Sequence, residues 1–113
     1  MDDCVFCKIV KKEVPVEAKF EDDEILAFPS NQPEAPIHII IIPRRHIRDI
    51  STLKNSDAEL LGKMILVGQK LAEENKIVES GYRLVFNVGP HAGQSVYHLH
   101  LHLLGGKPLA HSG

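Results

Sequence analysis

Tyr97-His98-Leu99-His100-Leu101-His102-Leu103-Leu104, close to the end of a 113-residue chain, decides how the remainder is read. Successive side chains on a β-strand point to opposite faces, so the alternation sets three imidazoles on one side and the leucines on the other. The leucine face is core. The imidazoles, roughly 7 Å apart along the strand, are too far from one another to be mutually satisfied and call for outside partners: a metal ion, an anion such as phosphate, or both.

Working upstream, Gly89-Pro90-His91-Ala92-Gly93-Gln94-Ser95 delivers the chain into that strand. Its glycines allow backbone amides close to a ligand, and Gln94 and Ser95 add polar donors suited to phosphate oxygens. A glycine-bearing hairpin loop without function would read the same way. Before it, residues 81–88 alternate as a strand ending near Asn87. Further back, Ile37-His38-Ile39-Ile40-Ile41-Ile42-Pro43 is apolar on both faces, the mark of a central strand. His38 interrupts it, and is a core histidine unless its face is the one that carries the triad.

The other elements are read from shorter signals. Residues 18–21 and 25–28 are two strands joined by Asp22-Asp23-Glu24, read as a solvated turn. Residues 29–36 are a proline-rich loop. Ser56-x-x-Glu59 has the pattern of a capping box and opens a helix running to about Glu74; residues 47–50 add one turn, and residues 4–12 a short helix or turn. Together these describe an α+β chain: an antiparallel sheet of about five strands with one long and one or two short helices, in a single domain over residues 1–113. The long helix carries two apolar stripes, Leu60/Met64/Val67/Leu71 and Leu61/Ile65/Gly68/Ala72, more than one core-facing surface requires. The second stripe implies a homodimer that extends the sheet.

Composition excludes several classes of function. A net charge of −2 and 5% aromatic residues provide neither the basic field nor the stacking platform of a nucleic-acid binder. Arg44, Arg45 and Arg48 form only a small basic patch. No apolar run is long enough to span a membrane, and no secretory leader is evident, which places the protein in the cytoplasm. In such a reducing compartment Cys4-x-x-Cys7 reads as metal ligands or a redox pair. The redox reading lacks the strand that should feed the motif. The metal reading needs two further ligands from remote histidines, and His46 with one member of the triad is the natural pair.

The run His98-Leu99-His100-Leu101-His102-Leu103-Leu104, preceded by Gly93-Gln94-Ser95-Val96-Tyr97, resembles the signature of the histidine triad superfamily of nucleotide hydrolases and transferases. The resemblance extends over nearly the whole chain, through Phe6 to Pro15, Phe20-Glu21-Asp22-Asp23, Ala27-Phe28, Ala35-Pro36-x-His38, Ile42-Pro43-x-x-His46 and Asn87, and is greatest to the nucleoside phosphoramidase branch. His102 in the third position, where the uridylyltransferases carry glutamine, implies hydrolysis. Gly105-Gly106 is more similar to the phosphoramidase branch than to the dinucleoside polyphosphate hydrolases.

The resemblance implies cleavage of nucleoside 5′-phosphoramidates, or related nucleotidyl conjugates, to the monophosphate through a covalent nucleotidyl-histidine. His100 would be the nucleophile, His102 would serve the phosphate and leaving group, and His38 would complete the cluster. Gly93, Gln94, Ser95 and Asn87 would hold the phosphate, and Phe6, Ile9, Val14 and Phe28 would wall a purine base. A structural zinc would be bound by Cys4, Cys7, His46 and His98. Two departures stand out. Ser30, followed by Asn31, occupies the place where the family has an acidic ribose ligand, and Ala110-His111-Ser112 stands where the branch has a tryptophan near the leaving group. Dinucleoside polyphosphate hydrolysis, or a nucleotide-binding scaffold with incidental activity, are the alternatives.

Overall fold

The computed structural model describes residues 3–110. A short helix α1 (Val5–Val10) is followed by strands β1 (Phe20–Glu21), β2 (Ile25–Pro29) and β3 (Ile37–Pro43). The long helix α2 (Ala58–Glu74) leads to β4 (Tyr82–Val85) and β5 (Leu101–Gly105). The five strands form one antiparallel sheet in the order β1-β2-β3-β5-β4, with the isoleucine-rich β3 at its centre. The expected α+β architecture is therefore the observed one. His111 and Ser112 of the tail lie outside the described residues.

The period-2 alternation of β2, β3 and β5 divides the apolar side chains between the two faces of the sheet. On one face Ile25, Ala27, Ile39, Ile41, Leu101 and Leu103 meet Met64, Val67, Leu71 and Ala72 of α2. The helix approaches closely because Gly68 faces the sheet, where an added Cβ would come within 2.9 Å of Leu84 Cδ2. On the other face Leu26, Phe28, Ile40 and Ile42 pack with Phe6 and Ile9 of α1, and by strand register His38 and His102 lie on this side too. His38 thus shares a face with the triad, which removes it from the class of ordinary core histidines.

Several local expectations are corrected by tertiary contacts. The histidine run is a regular strand only from Leu101: its ladder with β3 ends at the Ile41–Leu101 pair, and the amide of Leu99 donates to the Ile47 carbonyl at 2.6 Å. Side-chain alternation persists where the ladder does not. Ser56-x-x-Glu59 is not the helix cap. A 3₁₀ turn, Asn55–Asp57, precedes α2, and the buried Asp57 carboxylate accepts from the Lys54 amide at 2.9 Å and from the Arg45 guanidinium. Those two hydrogen bonds, the amide first, hold the Asp57 carboxyl below its ordinary value. Residues 47–49 are irregular, with a 3₁₀ turn displaced to Ile50–Thr52.

The acidic turn is also more than a solvated link. Asp22 Oδ1 accepts from the amides of Glu24 and Ile25, both at 2.8 Å, which closes the β1–β2 hairpin. Lys63 of α2 reaches Asp22 at 2.7 Å and Glu24 at 2.8 Å, tying the hairpin to the helix. The arginine patch is similarly consumed: Arg44 pairs with Glu21 and the Asp22 carbonyl, Arg45 with Asp57, and Arg48 lies over the Tyr97 ring at 5.0 Å. Of the two apolar stripes on α2, most members are covered, while Ile65 of the second stripe is 43% exposed and Leu66, outside both, is 62% exposed.

Candidate active site and metal centre

Cys4 caps the N-terminus of α1, its Sγ accepting from the Cys7 amide at 3.3 Å, and one helical turn brings both sulfurs to the same end. They meet His46, from the segment after β3, and His98. Sulfur-to-Nδ1 separations are 3.2–3.6 Å, and the two Nδ1 atoms are 3.2 Å apart. A tetrahedral zinc with bonds of about 2.3 Å to sulfur and about 2.0–2.1 Å to nitrogen requires S···N near 3.5 Å and N···N near 3.3 Å. The four ligand atoms, all within 4.8 Å of one another, fit that ion without rearrangement.

The tautomers agree with this geometry. His98 is fully buried, and its Nε2–H donates to the Pro43 carbonyl at 2.8 Å, so Nδ1 offers a lone pair to the cluster. Burial pushes its pKa down to about 4, keeping the ring neutral. Burial, followed by the neighbouring Cys4 thiol, pushes the Cys7 thiol up to about 11, so thiolate charge here requires a compensating cation. Two thiolates, two neutral imidazoles and a divalent ion leave no net charge.

The same logic assigns protons to the remaining histidines. His100 Nδ1–H donates to the His98 carbonyl at 2.7 Å, leaving Nε2 as a free lone pair. The Glu34 amide donates to His38 Nδ1 at 3.1 Å, so the His38 proton resides on Nε2 and is donated to His102 Nδ1 at 2.9 Å. His102 therefore carries its own proton on Nε2. Burial lowers the pKa of His38 and His100, and burial followed by the two neighbouring imidazoles takes His102 down to about 4. All are neutral at pH 7.

His38, His100 and His102 line a cavity of about 460 Å³, within the range of small-ligand sites. Phe6, Ile9, Val14 and Phe28 form its apolar wall, extended by Ile40 and Val96, and Phe6 meets Phe28 edge-on at 5.6 Å. Ser30, Asn31, Asn87, Gly93 and Ser95 contribute the polar side. Gln94 does not line it. Its side chain turns inward, Oε1 accepting from the Gly89 amide at 2.8 Å and Nε2 donating to the carbonyls of Arg48 and Val96. The Gly93 and Gln94 amides are likewise spent, on the Pro90 and Gly89 carbonyls. Gly89 and Gly93, both at φ +82°, make that tight loop possible. Of Gly93, Gln94 and Ser95 in that loop, Ser95 alone keeps a side-chain donor for the cavity, where Asn87 offers a second.

At the opposite rim the Ser30 hydroxyl accepts from the Gln32 amide at 3.1 Å, while the Ser30 amide donates to the His38 carbonyl. Sequence reasoning did not single out Glu34, whose backbone amide sets the His38 tautomer. A backbone donor leaves no residue-type signature, and only its place four residues before His38 hints at it.

This histidine arrangement can be compared with known proteins. Residues 3–110 match the family model described as scavenger mRNA decapping enzyme C-term binding. The chain is 43% identical to the purine nucleoside phosphoramidase of Escherichia coli (strain K12), the alignment covering 99% of this chain and 98% of that protein. It belongs to the HIT, or histidine triad, family. A HIT family hydrolase from Legionella pneumophila Philadelphia 1 superposes with a TM-score of 0.93 at 48% identity, covering 96% of both chains. A histidine triad protein from Clostridium difficile does so with a TM-score of 0.95 at 35% identity, covering 100% of this chain and 98% of that one. The resemblance read from the triad is thus borne out at the level of family and fold.

Proposed function

We propose that this HIT-family chain is a hydrolase that cleaves nucleoside 5′-phosphoramidates and related nucleotidyl conjugates to the nucleoside monophosphate. The observation that carries the reading is His100, whose Nδ1–H is fixed on the His98 carbonyl and whose Nε2 lone pair is left to a cavity with an apolar wall and a polar rim. The phosphoramidase relative at 43% identity supports the substrate class.

In the proposed reaction Nε2 of His100 attacks the α-phosphorus and the bond to the leaving nitrogen breaks, giving a nucleotidyl-His100. The departing nitrogen takes up a proton from solvent and leaves as the amine, with His102, whose ring lies 4.9 Å from that of His100, presenting its Nε2–H to the leaving group as a hydrogen-bond donor. His38 Nε2–H, donating to His102 Nδ1, holds that ring in the tautomer that presents Nε2–H. Water then attacks phosphorus and breaks the bond to Nε2, its released proton balancing the one taken up by the amine. The Ser95 hydroxyl and the Asn87 amide hold the nonbridging oxygens, where charge develops. Phe6, Ile9, Val14 and Phe28 take a purine base, with Ser30 and Asn31 beside the ribose.

Cys4, Cys7, His46 and His98 hold a structural zinc, which cross-links α1 to the segments after β3 and before β5. The absence of lysine and arginine among the described residues lining the cavity disfavours a leaving group rich in phosphate charge, and so a dinucleoside polyphosphate. We further place the protein as a homodimer in the cytoplasm. The exposed Ile65 and Leu66 and the free edge of β4 support the dimer, and two free cysteines support a reducing compartment.

His100→Ala is expected to lower kcat on adenosine 5′-phosphoramidate by at least about 10³-fold while leaving the thermal midpoint nearly unchanged. In the wild type, mass spectrometry of rapidly quenched turnover should find the nucleotidyl adduct on His100. Wild-type kcat in the variant would overturn the assignment.

A further inference from the structure

We propose that the metal centre and the nucleotide cavity are energetically linked through α1, with Phe6 as the positioning residue between them. The inference rests on the nucleotide reading above. It begins with helix length: α1 has six residues, well below the length at which an isolated helix persists in water. Its order must come from what it touches, and it touches two things.

Cys4 and Cys7 tie one end into the four-ligand cluster. Phe6, which lies between them in sequence, points its ring into the second core: 5.6 Å from Phe28, 5.9 Å from His98 and 5.2 Å from His100, the last pair nearly perpendicular at 84°. Among the described residues, Phe6 is thus the one aromatic contact shared by the His98 ring of the cluster, the His100 ring and the apolar wall. One rigid turn of helix fixes all three positions at once. Metal bound at the cysteines sets the Phe6 ring against His100 and the base pocket, and a base bound against Phe6 holds the turn that presents both thiolates.

Linkage is reciprocal: whatever factor the metal contributes to nucleotide affinity, the nucleotide contributes to metal affinity. The test uses the full chain, Zn²⁺ as the metal and AMP as the nucleotide. Zinc affinity is measured by competition with a chromophoric chelator, with and without saturating AMP, and the weak hold of free AMP on the ion is subtracted from a parallel protein-free titration.

One zinc per chain is expected, bound at least fivefold more tightly in the presence of AMP. Calorimetric AMP affinity of the zinc-loaded and zinc-stripped protein should differ by the same factor. Phe6→Leu, measured at AMP concentrations well above its own Kd, should bring the factor to near one, whereas Phe6→Tyr, which keeps the ring, should retain it. Equal zinc affinity with and without AMP overturns the linkage and leaves the nucleotide reading intact. A full wild-type factor in Phe6→Leu overturns the role of Phe6. Failure of the zinc-loaded protein to bind AMP at all overturns the nucleotide reading, and the linkage with it.

Discussion

Gln94 shows how a residue can belong to a signature motif without lining the cavity beside it. All of its side-chain hydrogen-bonding capacity named above goes to three backbone groups: the Gly89 amide and the carbonyls of Arg48 and Val96. It staples the loop that carries Ser95, one residue along, to the segment following β3. Gln94→Ala leaves a buried amide and two carbonyls unpartnered, at a cost of about 1–3 kcal/mol. The expected outcome is a lower thermal midpoint together with reduced turnover caused by a displaced Ser95. Gln94→Glu, which keeps an acceptor for Gly89 but sets a buried carboxylate oxygen against the two carbonyls, should lower stability at least as much as alanine. A Gln94→Ala enzyme with unaltered stability would refute the staple. The sequence made Gln94 visible as a polar residue beside glycines, but a sequence cannot say which way an amide turns. Residue type was legible at the site; orientation and proton position, as in the Glu34–His38–His102 chain, depend on backbone groups that carry no residue signature.

Among the elements, the sheet was the most legible. The run from Ile37 to Pro43 named the central strand, and β3 occupies that place with the same ends. The pieces that escaped were those decided by distant partners. Lys63 converted an acidic turn into a tether for α2, Asp57 rather than Ser56 took the place before α2 with its carboxylate turned back to the Lys54 amide and Arg45, and the β5 ladder stopped at the Ile41–Leu101 pair. The double stripe of α2 is half explained. Gly68 and Ala72 of the second stripe are buried against the sheet, whereas Ile65 and the neighbouring Leu66 remain exposed. Such a surface beside a free β4 edge is costly to leave in water. Light scattering after size exclusion should return twice the chain mass, and Leu66→Glu should shift it to one chain's mass with turnover recorded in parallel. A wild-type protein of single-chain mass would show that the exposed stripe has no twin.

For the molecule as a whole, the buried histidines predict a definite response to acid. His98 and His102 are both pushed down to about 4, and His38 and His100 are lowered, while unfolded histidine titrates near 6.5. Between about pH 6.5 and 4 the unfolded chain therefore binds more protons than the folded one, and stability must rise with pH across that window. Chemical denaturation at a series of pH values should show unfolding free energy falling steadily as the pH drops below 6.5. His102→Gln should flatten the slope, because it removes one of the groups whose proton uptake is suppressed by folding. Turnover should fall as the pH drops through the lowered pKa of His100, since only a neutral His100 has a lone pair to give. A stability profile that is flat from pH 7 to 4.5 would contradict the neutral, buried cluster.

The backbone of His98 has a consequence for how such a site can change over generations. His100 takes its orientation from a peptide carbonyl, and a peptide carbonyl survives every replacement of the side chain attached beside it. The ring that faces the two cysteines and the reference point for His100 therefore sit on one residue but answer to mutation separately. A lineage could drift away from the cysteines and histidines of the cluster, trading them for apolar packing around α1, while the proton on His100 stayed where it was. The fold thereby separates the proton position on His100 from the fate of the four-residue cluster.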